Sequence, residues 1–233
     1  MAIFKRELDL IKQVELKELR CSKCNCFLPI QSLNLIFFCK NCKLAFSLFE
    51  DRLIEIPVKY TLPRVKLEGP IIFYSFWKVS LKVKFMRMCW EERHLLIDTI
   101  KGVVKELKDK IAPVREEKPK EKLLEKKEEE FTCWFPGFWV PDKEFIRLAE
   151  LFTTKQLDMQ FFSGEITPEV ILSLEDARIV AEYLFIKQMF NKLGTREYFS
   201  HKVTVLEEAI VEIPFYETED GLRDGLWGEL CSF

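Results

Sequence analysis

Two C-x2-C pairs, Cys21/Cys24 and Cys39/Cys42, stand 14 residues apart near the start of the chain. A C-x2-C pair bends the backbone into a tight knuckle with both sulfurs on one side. Two knuckles brought together place four thiolates around one ion. The other four cysteines (Cys26, Cys89, Cys133, Cys231) are scattered, and the first residues, MAIFKRELD, are too charged for a secretory signal. Paired spacing in a chain read as cytoplasmic points to metal binding rather than to disulfides. Zinc, at about 2.3 Å per Zn–S bond, is the expected ion, with iron the alternative that the same spacing admits. Four protein thiolates leave no coordination position for substrate or activated water, so the expected metal is structural.

The residues around the pairs read as a ribbon. Leu33, Leu35, Ile36, Phe37 and Phe38 supply a strand that delivers the second pair; Leu44, Phe46 and Leu48 alternate as the return strand; Leu53, Ile54 and Ile56 continue to Pro57. With its knuckles, the Leu-Ala-Phe-Ser-Leu after Cys42 and the Arg-Leu-Ile-Glu-Ile-Pro exit, the stretch from Glu18 to Pro57 resembles the small zinc-ribbon proteins that act as activating partners of methyltransferases. It is also similar to ribbons that head many uncharacterised bacterial proteins. The resemblance covers about a sixth of the chain and implies a docking module, with no transferase in this chain.

The rest reads as a second, larger domain. The expected division is a zinc-ribbon module with its lead-in at 1–66 and an α+β domain at 67–233, interrupted by a charged linker at 115–130 (REEKPKEKLLEKKEEE). The lead-in fits a helix or a strand equally well. Residues 71–85 begin almost continuously apolar and end in strict alternation, the pattern of a strand buried on both faces that emerges to cover a core with one. Leu95, Leu96, Ile100, Val103, Val104 and Leu107 recur at helical spacing over 91–111. Asp142 is read as the N-cap of a helix to about Thr154. Ser173 with Asp176 opens a second helix to Leu193, stopped by Gly194. Val203–Tyr216 and Leu222–Cys231 read as a hairpin turned at Asp220-Gly221. Three aromatic segments, Phe73–Trp77, Trp134–Trp139 and Ile213–Tyr216, are expected to line a sheet core. The fold class is therefore α+β, a four-cysteine ribbon followed by a mainly antiparallel sheet with two or three covering helices.

Catalytic parts are few. His94 and His201 are the two histidines, neither in a motif with a nucleophile, and no phosphate-binding glycine loop or G-x-S-x-G elbow is present. Glu175/Asp176 and Glu207/Glu208 are adjacent acids explained by a helix start and by strand alternation. The charge is asymmetric: residues 1–66 carry 12 basic and 7 acidic side chains, residues 131–233 carry 9 and 18. No stretch reaches the roughly 18 uncharged residues of a spanning helix. Abundant Lys, Glu and Phe with scarce Asn and Gln give a thermophile-like composition. The expected function is a cytoplasmic binding or scaffold protein that docks a protein partner through its ribbon. The alternatives are nucleic-acid binding by the basic ribbon and the Lys78/Lys82/Lys84 face, and an enzyme whose site has no recognisable motif. Electron transfer is a further reading tied to iron.

Overall fold

Alternating hydrophobicity in the ribbon segment produces three short antiparallel strands, β1 (Ile36–Cys39), β2 (Leu44–Phe49) and β3 (Arg52–Ile56), in the order β1-β2-β3. Cys39 pairs with Leu44, so the second cysteine knuckle is itself the β1–β2 turn. The computed structural model describes residues 18–29, 35–50, 52–90, 121–155, 169–193 and 197–231. The lead-in before Glu18, Leu33, the helical pattern at 91–111 with His94, the linker segment 115–120 and Gly194 lie outside the described residues.

Beyond the ribbon come β4 (Val58–Tyr60), β5 (Ile71–Trp90), β6 (Glu121–Pro136), α1 (Asp142–Thr154), α2 (Leu174–Phe190), β7 (Glu197–Thr218), β8 (Gly221–Asp224) and β9 (Leu230–Cys231). The larger sheet has the order β6-β5-β7-β8-β9, with β4 added parallel to β7. The class is α+β, mostly antiparallel, with two helices among the described residues.

β5 shows part of the expected change of pattern. Ser75, Phe76 and Trp77 are all buried, whereas from Val79 onward Val79, Leu81, Val83 and Phe85 are buried and Lys78, Ser80, Lys82 and Lys84 are not. Ile71 and Ile72 at its start are exposed, contrary to the expectation; the strand is covered on both faces only at 75–77 and on one face later. The three aromatic segments fall on or just after β5, β6 and β7, which are adjacent in the sheet.

Residues 121–130, read as a connector from their charge, form the first part of β6. Two physical reasons correct that expectation. β6 is an edge strand, where charged side chains are tolerated and guard against unwanted pairing. Its acids also find cations on β5: Glu128 pairs with Lys82 and Lys84 at 2.6 and 3.0 Å, and Glu125 lies 3.9 Å from Arg87.

The chain forms two compact units. The first holds its described residues up to Lys78, with Trp134–Ala177 and the chain from Glu208; the second holds Val79–Cys133 and Arg178–Glu207. Residues 67–233 thus contribute to both. The main core of the first unit joins Phe76, Trp134, Leu148, Phe152, Val211, Ile213, Phe215, Leu226 and Cys231. Here α1 lays Leu148 and Phe152 on the sheet, and Phe76 meets Phe152 with ring centres 4.7 Å apart. Asp142 is the first residue of α1 rather than its cap; Pro141 holds the cap position without a side-chain bond.

The ribbon belongs to the same unit. Ile210 donates its N–H to Pro57 O at 2.9 Å, Leu35 N–H to Val170 O at 3.0 Å, and Leu174 N–H to Ser47 Oγ at 3.3 Å. In the second unit Phe185 of α2 packs on Phe85, Phe131 and Phe199, one from each long strand. α2 opens with the expected box: Asp176 N–H donates to Ser173 Oγ at 3.1 Å, and Ser173 N–H to Asp176 Oδ2 at 3.1 Å. It ends at Phe190, three residues before the expected Leu193.

The C-terminal hairpin forms with Thr218 opposite Gly221, so its turn is Glu219-Asp220, one residue earlier than expected. The segment 222–231 is two short strands, β8 and β9. Between them the buried Asp224 carboxylate accepts the N–H groups of Leu226, Trp227 and Glu229 at 2.7–2.9 Å.

Candidate metal centre

The two knuckles close with the same backbone bond, from the residue four positions after the first cysteine to that cysteine's carbonyl. In the first, Lys23 N–H points at Cys21 Sγ (3.4 Å) and Asn25 N–H closes on Cys21 O (2.9 Å). In the second, Cys42 N–H points at Cys39 Sγ (3.4 Å) and Lys43 N–H closes on Cys39 O (2.7 Å). Each turn ends on a left-handed residue just after its second cysteine, Asn25 at φ 59° and Lys43 at φ 57°. Asparagine tolerates this region; lysine there is strained.

Cys21 and Cys39 are buried and Cys24 and Cys42 half-buried, on a small core of Leu28, Phe37 and Phe46. The sulfurs of all four lie within 4.8 Å of one another, and Cys24 and Cys39 approach to 3.5 Å. A tetrahedral Zn–S shell at about 2.3 Å requires sulfur–sulfur spacings of about 3.8 Å. The cluster fits such an ion.

The thiols of the cluster differ in how readily they ionise. Cys24 is drawn down to about 5, chiefly by the Asn41 side chain and then by the Cys26 backbone. Cys42 is pushed up to about 12, first by the hydrogen bond it makes with Cys24, and Cys39 is raised first by burial. Metal binding requires thiolates, so a divalent cation among these sulfurs would favour their deprotonated forms. Cys26 is exposed and stands outside the four-sulfur set. All eight cysteines are unbridged, and Cys89, Cys133 and Cys231 lie away from the cluster on β5, β6 and β9.

Around the centre, Arg20 reaches over the Phe27 ring at 3.9 Å and pairs with Glu18, and Lys23 pairs with Glu55 at 3.4 Å. Part of the ribbon's basic charge is therefore locally matched.

The remaining sequence candidates disperse. Nε2 of His201 sits 2.7 Å from Glu182 on α2, an ordinary structural pair. Glu175 and Asp176 lie in the first turn of α2, and Glu207 and Glu208 follow one another on β7. Lys82 and Lys84 share Glu128.

One buried group had no sequence signal. Glu212, in the middle of an apolar run, is 1% exposed and accepts a 2.5 Å hydrogen bond from Ser75 Oγ. Burial, opposed by that bond, raises its carboxyl to about 7. Only the partner strand could have revealed it, since Ser75 is 137 residues away.

Fold and site together define an α+β protein with a four-cysteine metal-ligand cluster in its N-terminal ribbon. No family model, curated protein or solved structure matches the chain. No helix among the described residues is long and apolar enough to cross a membrane.

Proposed function

We propose that the chain is a cytoplasmic binding or scaffold protein whose ribbon, folded around one structural zinc ion at Cys21, Cys24, Cys39 and Cys42, docks onto a protein partner. The observation that carries this reading is the four-sulfur cluster. Four thiols within 4.8 Å of one another can fill a tetrahedral shell, which would leave no position at which a metal performs chemistry on a substrate. Zinc suits such a site because thiolates are soft donors and its tetrahedral preference carries no redox demand.

The docking half rests on the ribbon's surface. Phe27 is 59% exposed, and Leu48, on β2, is 45% exposed. Large apolar side chains on so small a module, beside a metal that fixes its shape, are the ingredients of an interaction anchor.

The test is a comparison of two tagged proteins expressed in the native host, the wild type and Phe27→Asp/Leu48→Asp. The reading expects a stoichiometric protein partner with the wild type, its loss with the variant, and the same zinc content in both. A wild-type protein recovered alone, or a partner retained by the variant, sinks the docking assignment.

A further inference from the structure

The second unit carries a groove of about 640 Å³ lined by Lys84, Phe85 and Met86 of β5, Lys126, Lys127 and Glu128 of β6, and Ser200, His201 and Lys202 of β7. Strand alternation sorts these side chains. Phe85, Phe199 and His201 turn toward Phe185 of α2, so Lys84, Ser200 and Lys202 point to the opposite face. Glu128 joins that face through its bonds to Lys82 and Lys84, and Lys126, two residues before it, lies there too. Lys127 points the other way and pairs with Glu129 at 3.2 Å.

The face away from α2 thus brings Lys82, Lys84, Lys126 and Lys202 together from three adjacent strands. Glu128 and Glu130 are the acids beside them. Glu128 is engaged by both β5 lysines, while no ion pair is recorded for Lys126 or Lys202 among the described residues. On this face Lys82, Lys84, Lys126 and Lys202 stand against Glu128 and Glu130, in a chain whose net charge is −2. Sequence alone drew attention to Lys78, Lys82 and Lys84. The fold shifts the cationic centre toward Lys126, which read as connector, and Lys202.

The geometry points to this groove as a binding surface for the phosphodiester backbone of a nucleic acid, held without base selectivity. Lysine is a flexible point charge suited to phosphates, and cations on adjacent strands can meet successive phosphates. The face-up residues of the lining include no aromatic ring for bases to stack on, so contact with the backbone carries the affinity. Glu128 restrains two of the lysines and leaves Lys126 and Lys202 as the dominant contributors.

The experiment is fluorescence anisotropy on the full-length, zinc-loaded protein with labelled single-stranded and duplex DNA of about 15 nucleotides, spanning about 50 to 200 mM salt. Wild-type protein is expected to bind with affinity that falls steeply with salt. Lys126→Gln/Lys202→Gln is expected to weaken binding about tenfold or more and to lower the salt slope by about 1 to 2. Lys143→Gln, on the exposed side of α1, is expected to leave binding unchanged. Matching thermal unfolding of the three proteins separates a lost contact from a lost fold. The preferred form, single strand or duplex, identifies which phosphate spacing the groove accepts. Absence of binding at low salt, equal weakening by Lys143→Gln, or displacement of the DNA by polyglutamate at equal charge concentration overturns the assignment.

Discussion

At the residue scale, single side chains carry large and separable effects. Glu212 is ionised with difficulty because it is almost fully buried with one hydroxyl donor. Its folded-state value of about 7 lies above the ordinary 4.5, so the folded protein holds this proton more tightly than the unfolded chain. Its contribution to stability is therefore fully present below about pH 4.5 and is lost as pH rises through 7, by about 3 kcal/mol in all. Urea unfolding of the wild type and Glu212→Gln from pH 5 to 8 checks this: the wild type loses stability relative to the variant across that window. A constant difference refutes it. Lys43 makes a second case. Its left-handed backbone is strained, so Lys43→Gly is expected to stabilise the metal-loaded protein by up to about 1 kcal/mol, read as a shift in chemical unfolding.

At the scale of elements, two turns are fixed by carboxylates. Asp224 is buried and satisfies three backbone N–H groups between β8 and β9. Asp224→Ala leaves those donors without their acceptor and is expected to cost about 3 kcal/mol by chemical denaturation. The Ser173–Asp176 box is smaller in effect, and Ser173→Ala is expected to cost about 1 kcal/mol in the same assay.

What the sequence revealed follows the range of the interactions. The knuckles, the capping box and the alternation in the later half of β5 are written in residues a few positions apart, so they were legible. The charged first part of β6 was not, because the partners of its charges lie on β5, more than 40 residues away in sequence. The same distance hid the Ser75–Glu212 bond and the meeting of Lys84, Lys126 and Lys202. The turn at Glu219-Asp220 was displaced by one residue because Gly221, at φ 127°, is the first residue of β8 rather than part of the loop.

At the scale of the whole molecule, the ribbon's small core (Leu28, Phe37, Phe46) is separate from the aromatic cluster on β5, β6 and β7. Metal removal is therefore expected to act locally. Hydrogen exchange with and without chelator is predicted to show amides of 36–56 losing protection, while those of Phe76, Val211 and Ile213 keep theirs. Global loss of protection would mean that the larger sheet also depends on the metal.

The central claim is the closed four-thiolate zinc site, and its most direct test is the metal content of protein purified without chelator. The account predicts one zinc per chain, a colourless protein and loss of that zinc in Cys39→Ser. Iron in its place, or zinc retained in full by Cys39→Ser, would contradict it.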